Sequence, residues 1–451
     1  MGRYVDAEGW MASATGFGRR TYRAFVPHPL AGWEPSLSGH ALNALTAADR
    51  ALAAAAALPQ TSLGGTLAEW MLTRDESIRS SVIEGVASTE PGLEWARYLD
   101  QAGRPVSDEN DALTLGATKQ IAAAVDLGQK MRAGRTATIE EILDIHRRLF
   151  AGTRDHDIGG GWRDQPIWIG PAGCLVEDAS FVPPPAEHVS GLMSDLVGYL
   201  NTSSHPPVLR AAIVHAQFET IHPFEDGNGR TGRAIIHAVL VSAGLTNAAI
   251  PISTALSSDR SRYYGALDAT RVMCAPDDAT ARSAATHEWL SVFSDACEQA
   301  GRQAEAVTRN VESMVARWQH AASFRSGSAA AKLLDALPSM PVLDAPMAAQ
   351  RLGVTERAAR GALTSLEAVG IVRRTGGQRN KRYTVPDVVG MLRQMTPDGG
   401  LPQHRIEPTR TSDPPVPAPH AHAACGHLGP RSGQRCALPA GHAGQHRYPS
   451  S

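Results

Sequence analysis

The stretch that most constrains this chain runs from Ile221 to Arg233 and reads I-H-P-F-E-D-G-N-G-R-T-G-R. Glycines on either side of Asn228 permit positive φ and let backbone N–H groups point into a concave nest for an anion. Ile235, Ala238 and Val239 then repeat at helical spacing over residues 230–244, so the loop feeds a helix N-terminus with its partial positive charge. Arg230 and Arg233, one helical turn apart, project from one face toward the same anion. Asp226 is a hard oxygen ligand placed to hold Mg²⁺ on phosphates, and His222 is a base of suitable pKa just ahead of the loop. A Gly-Asn-Gly turn alone would be an ordinary connection between helices. Base, metal ligand, nest and paired arginines together describe a phosphoryl- or nucleotidyl-transfer site.

A chain of 451 residues is long for one domain and suggests two or three. With 20% charged residues and a net charge of −2, the whole chain offers no electrostatic case for a nucleic-acid or membrane partner. The first residues, Met1-Gly-Arg-Tyr-Val-Asp, lack a following apolar segment, and Asp6 spoils a myristoylation pattern. The alanine run Leu52–Leu58 is too short to span a bilayer. Cys174, Cys274 and Cys297 follow no pairing pattern, as suits reduced thiols. A soluble cytoplasmic protein is expected, with no internal repeat at a solenoid period.

Residues 1–60 are rich in Gly, Ala and Pro, with a weak helical pattern near Leu42–Leu58. In E-S-I-R-S-S-V-I-E-G, Glu76 to Gly85, the residues Ile78, Val82 and Ile83 form an apolar face and Gly85 terminates the helix. Glu84 then sits in a last turn against the helix dipole, which invites a cationic partner. From Asn110 to Gly152 the pattern is helical, with Thr138 and Glu141 placed as a capping box and His146 in a core-facing row, where a structural role is expected. Between residues 159 and 185 the period shortens. Gly160, Trp162, Ile167, Trp168 and Ile169, then Phe181 and Val182, read as a β-hairpin stiffened by Pro183, Pro184 and Pro185. Leu209–Phe218 is a helix that delivers His222, and Tyr263 and Tyr264 read from the residues alone as core aromatics.

A long helix over about 284–322 ends at a Gly/Ser break at 325–328. Beyond it, Met347 to Arg360 places two short helices about a glycine, with Thr355 as the second cap. Residues 370–385 alternate like a small β-wing. Arg357, Arg360, Arg373, Arg374, Arg379, Lys381 and Arg382 make DNA a candidate partner, with a protein-contact module as the other reading. Residues 396–423 are a Pro-rich linker. In the tail, Cys425, Cys436, His442 and His446 form a candidate Cys₂His₂ zinc site, set against a chance gathering of His and Cys.

The string H-P-F-E-D-G-N-G-R-T-G-R fills every position of the signature H-x-F-x-[D/E]-G-N-G-R-x-x-R and so resembles the Fic family. The resemblance covers roughly residues 60–395. It implies a mainly α fold: a Fic-type helical core with a β-hairpin flap, followed by a small α+β winged-helix domain; the candidate zinc-binding tail lies outside the resemblance. The boundaries expected are an N-terminal extension at 1–60, a helical region with an inhibitory helix at 61–109, a catalytic core at 110–323, the winged helix at 329–395, the linker at 396–423 and the tail at 424–451. The activity implied is an auto-inhibited protein adenylyltransferase that moves AMP from ATP to a hydroxyl of a target protein. His222 is then the catalytic base, and Asp226 holds Mg²⁺. Gly227, Asn228 and Gly229 stabilise the α-phosphoryl, and Arg230, Thr231, Gly232 and Arg233 complete the phosphate-binding turn. Phe224 anchors the loop.

Ser80-x-x-x-Glu84-Gly85 resembles the family's inhibitory motif, in which the glutamate occupies the second signature arginine, here Arg233. Trp168, Ile169 and Phe181 correspond to the flap that holds a target segment by strand addition. Tyr263 and Tyr264 correspond to a pair that lies along the adenine, and Arg271 stands where some relatives carry asparagine. The partners implied are ATP and an unidentified target, with the enzyme itself as one candidate; a homodimer stays open. Two other readings remain: a de-adenylylating hydrolase in which Glu84 orients water, and a DNA-binding regulator with a quiescent Fic core.

Overall fold

The computed structural model describes residues 1–13, 16–170, 174–340, 342–375 and 381–395. Arg379, the 396–423 linker and the Cys425, Cys436, His442 and His446 set lie outside the described residues.

The chain begins with a feature the sequence reading did not anticipate. Strand β1 (Gly2–Ser13) pairs antiparallel with β2 (Gly16–Pro27), in register from Gly2 opposite Pro27 to Ser13 opposite Gly16. The residues do carry the period: Thr21 and Arg23 are exposed where Tyr22 and Ala24 are buried, the alternation of a half-buried strand. The expected helix near Leu42–Leu58 is α1 (Gly39–Ala56), capped by the Ser38 side chain.

The helical core follows as α2 (Ser62–Ile83), α3 (Glu90–Gln101), α4 (Glu109–Arg132), α5 (Ile139–Phe150), α6 (Ala186–Thr202), α7 (Pro207–Ile221), α8 (Asn228–Ser242), α9 (Ile252–Ser258), α10 (Arg260–Ala269) and α11 (Ala279–Ala321). Helix α8 is the axis of this core. Every residue from Asn228 to Val241 is buried, because α2, α4, α5 and α7 all pack on it. A helix apolar around most of its circumference can only be a buried one. Helix α4 approaches closely at Gly128, where a Cβ would stand 2.7 Å from the Ala238 carbonyl. Helix α5 starts with the capping box of Thr138 and Glu141, and α2 ends at Glu84, with Gly85 at φ +76°. Among the described residues no helix is long and apolar enough to cross a membrane.

The segment between α5 and α6 forms less strand than expected. One antiparallel bridge joins Ile169 and Phe181, with N–H···O distances of 2.8 and 3.1 Å, and a short 3₁₀ turn at Val176–Asp178 lies between them. The first hairpin extends this flap. Phe25 N–H donates to the Val182 carbonyl at 2.9 Å, and Tyr22 and Ala24 pack against Trp168, Val176 and Val182.

After α11 come α12 (Ala329–Ala336), β3 (Val342–Leu343), α13 (Ala345–Leu352), α14 (Glu356–Ala368), β4 (Arg373–Thr375), β5 (Arg382–Thr384) and α15 (Pro386–Met395), with an antiparallel sheet in the order β3-β5-β4. Gly353 turns at φ +64° between α13 and α14, and Thr355 caps α14. The Gly/Ser break at 325–328 is a tight entry in which the Ser328 side chain caps α12. This unit is fastened to the core. Tyr98 donates to Asp344 at 2.7 Å, Trp318 donates to Asp387 at 3.0 Å, and the Arg382 guanidinium lies 4.0 Å over the Trp95 ring.

Candidate active site

The site is built where α7 turns into α8. His222 ends α7 in the left-handed region, at φ +49° and ψ +62°. Among the described residues it is the one non-glycine at positive φ, a conformation that persists only when its surroundings impose it. Arg163 imposes it. This arginine is 2% exposed and donates from Nε to the His222 carbonyl at 2.8 Å and from Nη2 to the Pro184 carbonyl at 2.5 Å. Its own N–H donates to the Pro223 carbonyl at 3.0 Å. Burial pulls the guanidinium down to about 10.

Phe224 is fully buried, as expected of the anchor, with its ring stacked at 3.6 Å on His146 and beside Trp162 at 5.0 Å. His146 is in the core, as its position in the helical row predicts, yet it also shapes the loop. Gly160 N–H donates to Nδ1 at 2.9 Å, so Nε2 carries the proton and donates to the Asp226 carbonyl, also at 2.9 Å. Burial holds this imidazole down to about 4, and therefore neutral. The Asn228 amide closes the loop from the other side. It accepts from Phe224 N–H at 2.9 Å and donates to the Phe224 carbonyl at 2.8 Å. Its side chain is thus a clamp, and only its backbone N–H faces an anion.

Gly227 takes φ +74° as the cap of α8, whereas Gly229 is already helical. Of the two glycines, one serves conformation and the other serves space: a Cβ on Gly229 would collide with Glu84 Oε1. Thr231 N–H is donated to the Gly227 carbonyl at 2.9 Å, which leaves the first-turn donors of Asn228, Gly229 and Arg230 to face an anion. The Thr231 hydroxyl is turned into the core and accepts from Gln120 at 2.7 Å. Gly232 faces α7, where a Cβ would stand 2.6 Å from Glu219 Oε1. The structure therefore puts Thr231 and Gly232 in helix packing and leaves the two arginines facing the site.

Arg230 is 3% exposed, and its Nε and Nη1 are buried without a partner. Its one ion pair is a long contact to Asp226 at 3.4 Å. Arg233, 1% exposed, donates from Nε to Ser80 Oγ and from Nη2 to the Ser80 carbonyl, both at 2.9 Å, and from Nη2 to Glu84 Oε1 at 2.7 Å. The cation that Glu84 lacks at the end of α2 is thus supplied by α8, and the pairing holds Arg233 charged against the cost of burial. Arg233 Nη1 has no partner. Two buried guanidiniums with unspent donors above a helix N-terminus form a socket for a multiply charged anion.

Asp226 Oδ1 accepts from Gly227 N–H at 2.5 Å, and burial pushes its carboxyl upward against the pull of Arg230. A half-buried carboxylate with so long an ion pair suits a hard cation. No group of three or more His, Cys, Asp or Glu that could hold a metal occurs among the described residues. A cation here would take one protein oxygen and find its remaining ligands on a phosphate.

The tyrosine pair divides. Tyr263 is 1% exposed and bonds His215 Nε2 at 2.8 Å in the core, whereas Tyr264 is 43% exposed beside the Glu84 end of α2. On the flap, Ile169 forms the bridge, Trp168 donates to the Cys174 carbonyl at 2.9 Å, and Phe181 lies under the Arg271 guanidinium at 3.8 Å. Arg163, His146, Gln120 and Glu219 are the site residues that the sequence did not single out for function. Glu219 alone had a local signal, standing one turn before His222 on the same helix.

Residues 136–240 match the model of the Fic/DOC family. A protein adenylyltransferase Fic of Drosophila ananassae is 34% identical over 183 residues, 40% of this chain and 32% of that protein. A protein adenylyltransferase fic-1 of Caenorhabditis briggsae is 28% identical over 168 residues, 37% of this chain and 30% of that protein. The chain thus spans about a third of the length of these curated relatives. Among solved structures, a Fic family protein from Desulfovibrio desulfuricans G20 aligns at 21% identity with a TM-score of 0.45, covering 78% of this chain and 98% of its own.

Proposed function

We propose, from the premise that residues 136–240 form a Fic/DOC-family domain, that this chain is a protein adenylyltransferase held down by its own α2. The observation that carries the reading is the socket itself. Arg230 keeps unspent buried donors, while Arg233 is already occupied by the Glu84 carboxylate.

With Glu84 withdrawn, both arginines and the first-turn N–H groups of α8 would bind the phosphates of ATP. That hold would fix the α-phosphorus for in-line attack. His222 would take the proton of a Ser, Thr or Tyr hydroxyl on the target as the oxygen–phosphorus bond forms and pyrophosphate leaves. Mg²⁺ on Asp226 would supply charge neutralisation across the phosphates. Ile169 uses its own N–H and carbonyl on Phe181, so the residues flanking it on the flap would pair with the backbone of the target segment. Glu84 competes directly for the donors that a γ-phosphate needs, so the resting state binds ATP unproductively.

The test is labelling with α-³²P-ATP and Mg²⁺ in wild type, Glu84→Gly and Glu84→Gly/His222→Ala, with a cell lysate as the source of target. Label on protein in the single variant alone supports the reading. No label in any variant that still binds ATP overturns it. Release of AMP from pre-labelled target by wild type, lost in Glu84→Gly, would instead make the protein a hydrolase.

A further inference from the structure

His222 is a poor base in the surroundings described so far. Arg163 bonds its carbonyl, and burial, with the charges of Arg163 and Arg271, pulls the imidazole down to about 3. A general base works best with a conjugate acid near the operating pH, so something must offset this field. The charged groups facing the pair come from five places: Glu219 on α7, Arg271 after α10, Arg163 before the flap, Arg233 on α8 and Glu84 at the end of α2.

Of these, Glu219 is the anion in reach. Its Oε2 lies 3.9 Å from His222 Nδ1, and its backbone carbonyl lies 3.4 Å from the same nitrogen. Oxygens gathered at Nδ1 keep the proton there and leave the Nε2 lone pair for the reaction. The Glu219 carboxyl is 7% exposed, and its Oε1 is buried without a hydrogen-bond partner. A buried carboxylate left this free is costly and has no packing rationale, since an apolar residue would fill the space more cheaply.

We propose that Glu219 is a positioning residue for His222: its backbone carbonyl holds the Nδ1 proton, and its carboxylate, 3.9 Å from Nδ1, stabilises by its charge the imidazolium formed when Nε2 takes the proton of the target hydroxyl. This deepens the adenylyl-transfer reading and rests on it. The step balances, because the hydroxyl proton ends on Nε2, the Nδ1 proton stays in its bond to the Glu219 backbone carbonyl, and the charge gained by the ring faces the carboxylate. The Glu219 carboxyl is itself pushed up to about 7 by burial, so its charge beside the ring changes around neutral pH. Glu84 contributes to that upward push. The residue that occupies Arg233 therefore also disfavours the ionised partner of the base, and its withdrawal would favour binding and proton transfer together.

The test uses the full chain with Glu84→Gly and follows the His222 ring by NMR, assigned by difference against His222→Asn. The ring is expected to titrate between about pH 5 and 8 in the Glu84→Gly protein, to leave that window when Glu219→Gln is added, and to stay within it for Glu219→Asp. In parallel, Glu219→Gln should lower kcat for AMP transfer at least tenfold with the ATP KM within about twofold, and move the acid limb of the pH profile. A His222 titration that is unchanged in folded Glu219→Gln protein overturns the pairing, as does a loss confined to KM. Transfer absent from the Glu84→Gly protein while the ring still responds to Glu219 would sink the adenylyl-transfer reading and leave the pairing standing.

Discussion

The Glu84 carboxylate occupies the space that a side chain on Gly229 would need, one residue into α8 and against Arg233. Glycine at that position, inside a helix and not at positive φ, is there for volume. The Glu84–Arg233 contact is therefore written in two places, at the end of α2 and in the first turn of α8.

Gly229→Ala is expected to destabilise the wild-type protein by about 1–3 kcal/mol, because the new methyl meets Glu84 and Arg233 in a packed site. In a Glu84→Gly background the same change should be neutral or stabilising by up to about 1 kcal/mol, as for glycine to alanine in an ordinary helix. Thermal unfolding of the four proteins of this cycle measures the coupling. Additive effects within about 0.5 kcal/mol would remove the claim that Gly229 makes room for Glu84.

Arg163 supports both the left-handed His222 and the approach to the flap. Arg163→Met leaves the carbonyls of His222 and Pro184 without their donor, a loss of about 2–4 kcal/mol. Transfer activity should fall further than stability does, since His222 is then free to leave φ +49°. Arg163→Lys should not restore it, because one ammonium cannot reproduce the planar fork. Full activity in Arg163→Lys would show that the guanidinium geometry is dispensable.

These contacts also mark what the sequence could reveal. The loop from His222 to Arg233, the end of α2 and the capping box of α5 are legible because each is a local pattern with local chemistry. Arg163, His146 and Gln120 act on the loop from segments distant in sequence, and no spacing rule connects them to it. The hairpin at Gly2–Pro27 was legible in principle through the alternation about Tyr22 and Ala24, but its glycines and arginines read as coil. Thr231 and Gly232 show the opposite situation. They belong to the motif's string, while the helix turns them toward α4 and α7.

Stability should depend on pH through His215, which is buried in the core and held down to about 3 by burial and the nearby Arg233. Its folded pKa lies below the unfolded value near 6.5, so the unfolded state binds more protons between the two. Its contribution is present above about pH 6.5 and is lost as pH falls toward 3. Between pH 7 and 5 the wild type should lose about 2 kcal/mol more than His215→Gln. Glu219, pushed up to about 7, acts in the opposite sense, so the readout is the difference between the two proteins' pH slopes. Parallel slopes in denaturant titrations would show that His215 is not held neutral.

The C-terminal unit docks on α3, the helix that follows the Glu84 end of α2 across residues 85–89. The contact is specific: Arg382 stacks over Trp95, and Tyr98 donates to Asp344. Trp95→Ala should remove about 0.5–2 kcal/mol of cation–π attraction along with its packing, and Tyr98→Phe about 0.5–1.5 kcal/mol. Either loosens residues 329–395 from the core, so limited proteolysis should cut faster between α11 and α12. Arg373→Ala, on an exposed strand with no partner in this contact, should cut at the wild-type rate. Equal rates in all four proteins would mean that the α3 contacts do not hold the unit, which then rests on others such as the Trp318–Asp387 bond. Faster cutting in the α3 variants, with higher AMP transfer, would tie the state of the C-terminal unit to the grip of Glu84 on Arg233.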